Sequence, residues 1–224
     1  MNPKSVDTTM PPRSQTTLVR QVFDEIFRLL LSGELPLGGV VNEVTLAERF
    51  NVSRGPVREA VSLLQGRGLI VKEPYMKARV VELNVASMIE IFQLREAVEG
   101  ASIRLATQAM SDEAIQMLLD DYEQARAAGT APKYDMHVCI AEGSGNERIR
   151  KLLCDELYYL LRLYRARSGQ APGRRDGAHT EHWQILRALK LRDGDLAESL
   201  MRSHIASATR SLQRLLEQGA AKGD

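Results

Sequence analysis

The chain has 224 residues, of which 44% are hydrophobic, and its formal net charge is only +1. This length suits one large domain or two modest ones with packed cores, and the small net charge does not by itself indicate a nucleic-acid partner. No apolar run approaches the roughly 20 residues that span a bilayer, and residues 1–17 lack the apolar segment of a secretory signal. We expect a cytoplasmic protein without a membrane partner and with a disordered tail at residues 1–17.

The charge is unevenly distributed along the chain. Residues 1–80 contain 11 Lys and Arg against 8 Asp and Glu, whereas residues 81–224 contain 19 against 21. The N-terminal part is therefore the side that we expect to face a polyanion.

Three short helices and a hairpin are predicted within residues 18–83. Apolar residues recur at spacings of three and four from Leu18, and the Gly- and Pro-containing stretch from Ser32 ends this first helix. A second short helix is predicted from Thr45 and Glu48, which have the spacing of a capping box.

The third helix follows a tight turn. Asn51 tolerates positive φ and can turn the chain, and Ser53 is a suitable N-cap for a helix that ends before Gly66. After Gly68 two β-branched runs, separated by residues 75–77, predict a small hairpin.

Residues 84–224 are predicted to form an all-α bundle. Long helical patterns follow one another, with Ser111 as one N-cap and a loop at residues 143–146. A long flexible loop is predicted between Ser168 and Ala178. The expected fold is mainly α, an N-terminal winged helix-turn-helix followed by a helical bundle.

Two arginines mark the start of the third helix. Arg54 and Arg58 are four residues apart and share a face of the helix, away from the apolar Val57 and Val61. The N-terminal end of the second helix of a helix-turn-helix enters the major groove, where Arg binds guanine or phosphate. Ser53 and the first-turn N–H groups suit a phosphate. The alternative is a solvated helix face, which the joined pattern of turn, helix and hairpin disfavours.

The stretch from Leu29 to Val71, LLLSGELPLGGVVNEVTLAERFNVSRGPVREAVSLLQGRGLIV, resembles the winged helix-turn-helix of the GntR family of bacterial transcription regulators. The motifs that carry the resemblance are L-A-x-x-x-x-V-S-R-x-P-V-R-E-A and a G-L-[IV] step into the wing. The resemblance implies DNA contacts from the wing tip and from Ser53, Arg54, Pro56 and Arg58. Many members have a glycine at the wing tip where this chain has Lys77, which either contacts a phosphate in the minor groove or is solvated.

The second half resembles the FadR-type C-terminal domain, the FCD domain. The carrying segments are LREAVEGASIRLA at residues 94–106, HVCIAEGSGN at 137–146, and EHWQILRAL continuing to LAESLMRSHI at 181–205. This resemblance implies an all-helical bundle that binds an effector and forms a homodimer.

Three histidines on separate predicted helices lie near apolar stripes, where imidazoles brought together would suit Zn²⁺ or Ni²⁺. They are His137, His182 and His204, and they also match the positions where many FadR-type proteins hold a metal. The usual fourth ligand is an Asp one turn before the first histidine, but that position here is Lys133. Asp135 would face away from His137 on a regular helix. Three alternatives stay open: a three-His site completed by water or effector, a site without metal that binds an anion directly, or an irregularity after Pro132 that lets Asp135 serve.

Four cationic residues are candidate contacts for an anionic effector. Fixed arginines bind carboxylates bidentately, which suits small organic acids. For each residue the alternative is an exposed helix charge. The candidates are Arg95, Lys133, Arg162 and Arg165.

The sequence predicts a regulator rather than an enzyme. It contains no HExxH, no GxSxG, no phosphate loop, and no carboxylate one turn from a histidine that could act as a base. We expect a repressor that binds a palindromic double-stranded operator as a homodimer and responds to a carboxylate effector. The alternatives are a metal-dependent enzyme using the three histidines and an effector-independent DNA-binding protein.

Overall fold

The computed structural model describes residues 17–168 and 174–220. The disordered tail predicted at residues 1–17 lies outside them except for Thr17, which caps the first helix by accepting a hydrogen bond from the backbone N–H of Arg20 (3.3 Å). Residues 169–173 of the predicted loop also lie outside. None of the described helices is long and apolar enough to cross a membrane.

The chain divides into two compact units, one ending at Val81 and the other beginning at Glu82, against a predicted boundary between residues 83 and 84. The first unit contains three helices and two strands. Apolar faces of α1 and α3 pack together to form its core. The elements are α1 (Leu18–Ser32), α2 (Glu43–Phe50), α3 (Arg54–Gly66), β1 (Ile70–Val71) and β2 (Arg79–Val80).

The start of α2 differs from the prediction. Asn42 is the N-cap, and its Oδ1 accepts hydrogen bonds from the backbone N–H groups of Val44 (3.0 Å) and Thr45 (3.4 Å). The predicted capping box of Thr45 and Glu48 is therefore wrong, because Thr45 already lies inside the helix. The turn after α2 is as predicted, since Asn51 has a φ of 53°.

The hairpin that follows α3 forms a short wing. β1 and β2 pair antiparallel, with Ile70 opposite Val80 and Val71 opposite Arg79, and Val40 forms a further bridge to Arg79. The strands are two residues long, shorter than the predicted β-branched runs. The predicted winged helix-turn-helix is present.

The second unit is all-α over its described residues, which confirms the mainly α fold class. Its long helix α4 packs along α10, and α10 also packs against α9. The helices are α4 (Val85–Ala109), α5 (Asp112–Ala128), α6 (Met136–Gly143), α7 (Glu147–Arg150), α8 (Tyr158–Ser168), α9 (Arg174–Lys190) and α10 (Gly194–Ala220).

Two segments of this unit depart from the predicted pattern. The helical pattern that follows the loop at residues 143–146 is interrupted by a π-helical segment, Lys151–Glu156, between α7 and α8. The flexible loop predicted up to Ala178 is wrong for its last residues, because α9 begins at Arg174.

Candidate DNA-reading surface and histidine site

The start of α3 presents its predicted contact residues on the surface. Ser53 occupies the N-cap position, but its side chain makes no capping hydrogen bond. Arg54 is exposed, and Pro56 is half-buried in the first turn. Arg58 lies 3.5 Å from Glu43 and keeps 67% of its side chain exposed, so this ion pair is weak. The opposite face of the helix is buried through Val57, Ala60, Val61 and Leu64.

The wing presents an exposed tip above a fixed base. Every residue from Val71 to Lys77 is exposed, including the predicted contact Lys77. Arg79 is held away from the tip, because its Nη1 donates to the carbonyl of Gly38 (2.8 Å).

Three of the four histidines meet in the second unit. His137 on α6, His182 on α9 and His204 on α10 each offer a ring nitrogen, and these atoms lie within 4.8 Å of one another. The Nε2 atoms of His182 and His204 are 3.1 Å apart. His137 and His204 are buried and His182 is half-buried. We call these three residues the histidine cluster.

Carboxylates hold two of these rings from behind. Glu99 Oε2 lies 2.5 Å from His137 Nδ1, and Glu181 Oε2 lies 2.7 Å from His204 Nδ1. A carboxylate on Nδ1 fixes the tautomer and leaves the Nε2 lone pair for a ligand. Burial lowers the pKa of His137 although Glu99 opposes the shift, and this lowering favours the neutral ring. The cluster has the chemistry of a metal site with oriented imidazoles.

Arg95 lies beside the cluster with 1% of its surface exposed. Its Nε donates to Glu99 Oε1 (2.6 Å), and its Nη2 is 3.2 and 3.3 Å from the two ring nitrogens of His137. Being almost equidistant from both nitrogens, Nη2 cannot align with the lone pair of either. Nη1 is buried and has no hydrogen-bond partner among the described residues. Burial opposes ionisation of Glu99, but Arg95 and then His137 hold the pKa of this carboxyl well below its usual range.

A second ion pair flanks the cluster. Arg165 binds Asp135 bidentately, with distances of 2.9 Å from Nη2 to Oδ2 and 3.1 Å from Nη1 to Oδ1. Burial would raise the pKa of Asp135, but Arg165 outweighs it and lowers that pKa. Asp135 is also the N-cap of α6, accepting from the backbone N–H of His137 (3.1 Å). The chain is therefore not helical at Asp135, as one of the three alternatives required, but the carboxylate of Asp135 is bound to Arg165 instead of facing the cluster.

The structure brings only two of the four predicted effector residues to this region. Arg95 and Arg165 lie against the cluster, whereas Lys133 and Arg162 are exposed. The ammonium of Lys133 lies 5.8 Å from the centroid of the Tyr134 ring, and the guanidinium of Arg162 lies 6.0 Å from that of Tyr158. Residue 133 precedes the first turn of α6, so the helical spacing that suggested its role does not apply.

A narrow cleft opens beside His137. Its free volume of about 10 Å³ holds about one water molecule. One wall is formed by Leu153 and Cys154 of the π-helical segment. Burial raises the pKa of the Cys154 thiol to about 11, and Cys154 is not among the residues that converge in the histidine cluster. The lining residues are Glu99, His137, Val138, Leu153, Cys154, Tyr158, Leu161 and Arg165.

Two residues of the site, Glu99 and Glu181, were not predicted from the sequence, and His179 lies one turn of α9 before His182. Glu99 follows Arg95 by one turn of α4, and this spacing could have predicted an ion pair between them. Glu181 directly precedes His182, and this adjacency could have predicted a carboxylate near the histidines. His179 is half-buried, its ring lies 5.7 Å from that of Tyr122, and both its nitrogens lack partners among the described residues.

Family models match both units. The model described as "Bacterial regulatory proteins, gntR family" matches residues 18–75, and that of the FCD domain matches residues 90–207. These matches confirm the resemblance noted in the sequence.

The chain is similar to known proteins over most of its length. The "Probable D-xylose utilization operon transcriptional repressor" of Paenarthrobacter nicotinovorans is 29% identical over 212 residues, covering 90% of this chain and 92% of the relative. The "Nta operon transcriptional regulator" of Aminobacter aminovorans is 30% identical over 177 residues, covering 75% and 81%. A solved structure from Rhodococcus sp. RHA1, described as a GntR transcriptional regulator, matches with a TM-score of 0.72 and 20% identity over 88% of this chain and 98% of that one, which supports the fold. The chain therefore belongs to the GntR family of bacterial regulatory proteins and is a DNA-binding transcription regulator with an effector-binding FCD domain.

Proposed function

We propose that this regulator is a repressor that binds a palindromic operator as a homodimer and whose operator affinity is changed by a small organic acid. The name of the Paenarthrobacter relative supports the repressor role. One copy of α3 reads half a site, and two-fold symmetry matches a palindrome. Because a bacterial DNA-binding regulator acts on the chromosome, we infer that this protein is located in the cytoplasm.

Three positions on α3, its N-cap Ser53 and one position on the wing would contact the operator. Arg54 and Arg58 are exposed on one face and can bind guanine or phosphate. The uncommitted hydroxyl of Ser53 and the first-turn N–H groups suit a phosphate, with Pro56 keeping that turn rigid. Lys77 adds a phosphate contact from the wing.

The observation that carries the effector proposal is the buried histidine cluster beside Arg95, whose Nη1 has no acceptor among the described residues. The cluster fits a divalent ion such as Zn²⁺ or Ni²⁺, because the imidazoles converge and two of them are oriented by Glu99 and Glu181. Such an ion would supply positive charge and a coordination position for an oxygen ligand. His137, His182 and His204 would hold it.

The local charges favour an anion as the effector. Arg95 is paired with Glu99, and Arg165 with Asp135, so these four side chains balance one another. A dication on neutral imidazoles therefore leaves positive charge in a buried place, where Glu181 offsets part of it. A carboxylate would neutralise the remainder and supply the acceptor that Nη1 lacks.

The narrow cleft couples effector binding to a change in shape. A space for about one water does not admit an organic acid, so part of the lining has to move, and we infer that it is the wall formed by Leu153 and Cys154. π-helical segments occur frequently at functional sites, and this one lines the cleft. An acid that binds the rearranged state more tightly shifts the population and with it operator affinity.

The geometry gives little support to an enzyme. A three-His hydrolase that uses a carboxylate as its base would need a free one, but Glu99 and Glu181 are both bound to imidazole Nδ1 atoms. We infer that the cluster serves binding. Turnover of any ester or amide by the purified protein would contradict this inference.

The metal is tested by elemental analysis of the purified protein before and after chelation, with thermal melts alongside. We expect near-stoichiometric Zn or Ni, and a lower melting temperature once it is removed. His182→Ala should lose the metal, whereas His179→Ala, one turn earlier on the same helix, should retain it. If no metal is found and added Zn²⁺ or Ni²⁺ changes nothing, the cluster binds an anion directly.

The effector class is tested by screening small carboxylates for thermal stabilisation of the metal-loaded protein. The double variant Arg95→Met/Glu99→Met removes the buried pair together and so avoids an unpaired charge. It should fold and lose the stabilisation. Equal stabilisation of both proteins would place the acid elsewhere.

A further inference from the structure

The wing tip contains a backbone conformation that its residue does not favour. Met76 N–H donates to the carbonyl of Glu73 (3.1 Å), which closes a four-residue turn with Pro74 and Tyr75 at its centre. Tyr75 has a φ of 65°. Pro at the second position and positive φ at the third fit a type II turn, in which the third residue is usually Gly or Asn. A bulky residue there is strained.

The folded chain does not compensate for this strain. The other non-glycine residues with positive φ in the described part of the chain are Asn51, a type that tolerates it, and Arg192. The guanidinium of Arg192 donates to the carbonyls of Thr107 (2.9 Å) and Met110 (2.8 Å), so its conformation is tied down by contacts. Tyr75 is fully exposed and so gains no burial in return.

The tip stands on a fixed base and lies between two cations. Val41 N–H donates to the carbonyl of Ala78 (2.8 Å), and Ile70 and Val80 are buried. The exposed side chains of Lys72 and Lys77 flank the turn. A hairpin with a fixed base thus presents an aromatic ring between two lysines, with the exposed carboxylate of Glu73 at the start of the turn. This arrangement suits a groove whose two walls are phosphate backbones.

We propose that Tyr75 is an apolar wedge that enters the minor groove of the operator and packs against the sugars and a base step there. The inference rests on the proposed reading of DNA by α3 and the wing. Apolar side chains inserted in this groove partly unstack a base step and favour flexible pyrimidine–purine steps. Tyr75 therefore adds an apolar, shape-dependent term to binding, distinct from the charge term of Lys77.

The experiment measures affinity by fluorescence anisotropy over a range of salt concentrations. Its probe is a duplex selected from a randomised library by the unmodified full-length protein. Tyr75→Gly and Tyr75→Asn remove the ring but accept the positive φ, so neither should lower the melting temperature. Both should weaken binding on the order of 10-fold without changing the slope of log affinity against log salt. Tyr75→Phe keeps the ring, so its affinity for the duplex should be higher than that of these two variants and close to that of the unmodified protein.

Lys77→Ala is the matched comparison, because it removes a charge from the same turn. It should reduce the salt slope by about 0.9. The wedge is overturned if Tyr75→Gly and Tyr75→Asn bind like the unmodified protein, or if they reduce the salt slope as Lys77→Ala does. Weak binding by Tyr75→Gly together with normal binding by Tyr75→Asn would assign the effect to turn stiffness and also overturn it. Failure of the unmodified protein to select any duplex would contradict the proposed function itself.

Discussion

The two units place the side chains of their proposed sites in opposite surroundings. Arg54 and Arg58 are exposed and lie four residues apart on one helix, so the fold of the first unit does not depend on them. The histidine cluster is gathered from three helices, and its neighbours Arg95 and Glu99 are buried charges that satisfy each other. We therefore expect that substituting the proposed DNA contacts leaves the stability of the fold unchanged, whereas substituting the charges beside the histidine cluster lowers it.

The strongest test of this contrast removes one member of the buried pair. Glu99→Leu leaves the guanidinium of Arg95 without its counter-ion and His137 without its Nδ1 partner, so the free energy of unfolding should fall by about 3–5 kcal/mol. Denaturant titration of the full chain measures it. Glu96→Ala, on the same helix but with an exposed partner in Arg202, is the control and should have little effect. A loss for Glu99→Leu no larger than that of the control would show that the pair is not needed for folding.

Substitutions of the exposed arginines on α3 should instead change DNA affinity and leave stability unchanged. Arg54→Ala or Arg58→Ala should weaken binding to the selected duplex by about 1–3 kcal/mol and leave the melting temperature unchanged. Arg28→Ala, on α1, should change neither quantity. Unaltered affinity in both α3 variants would refute the assignment of α3 as the recognition helix.

A smaller effect on metal affinity is expected at Glu181, whose carboxylate orients the proposed metal ligand His204 but does not itself bind the metal. Glu181→Ala should lower the affinity for Zn²⁺ by about 10- to 100-fold, because His204 loses its Nδ1 partner. Competition with a chromogenic chelator measures the affinity. Glu123→Ala is the control, since Glu123 accepts from Trp183 instead of a histidine. Equal affinities in the two variants would exclude an orienting role.

The smallest effect distinguishes the two caps considered for α2. Asn42→Ala should lower the free energy of unfolding by about 1 kcal/mol, because it removes the acceptor for two first-turn N–H groups. Thr45→Ala should be neutral or slightly stabilising, because Thr45 is an exposed residue inside the helix and Ala is the better helix former. Chemical denaturation of both variants decides between the caps, and the reverse order would restore the capping box.

Local patterns predicted most of the fold. The apolar stripe of α3, the turn at Asn51 and the helical second half follow from short-range spacing and backbone preference. The error at α2 arose because Asn42 and Thr45 are both good caps three residues apart, and local sequence does not rank them. The π-helical segment at Lys151–Glu156 has no sequence signal of this kind, because it depends on how neighbouring helices pack.

The histidine cluster was predictable only in part. Its three members were named from apolar stripes and resemblance, but the role suggested for Lys133 assumed a helix that the structure does not contain. Asp121 accepts hydrogen bonds from the backbone N–H groups of Lys133 (3.1 Å) and Tyr134 (2.9 Å), so α6 begins later. Such a contact over 12 residues is not visible in a local pattern. The roles of Glu99 and Glu181 likewise depend on which helices meet.

In the proposed function, the cleft with room for about one water would also set the rate of the response to an effector. If an organic acid reaches the imidazoles only after Leu153 and Cys154 move aside, the observed rate of binding levels off at high acid concentration, and the plateau equals the rate of opening. Acids of different affinity then reach the same maximal binding rate and differ in their dissociation rates. The regulator would follow the average level of its effector over the lifetime of the closed cleft, so that fluctuations briefer than this lifetime do not reach the operator.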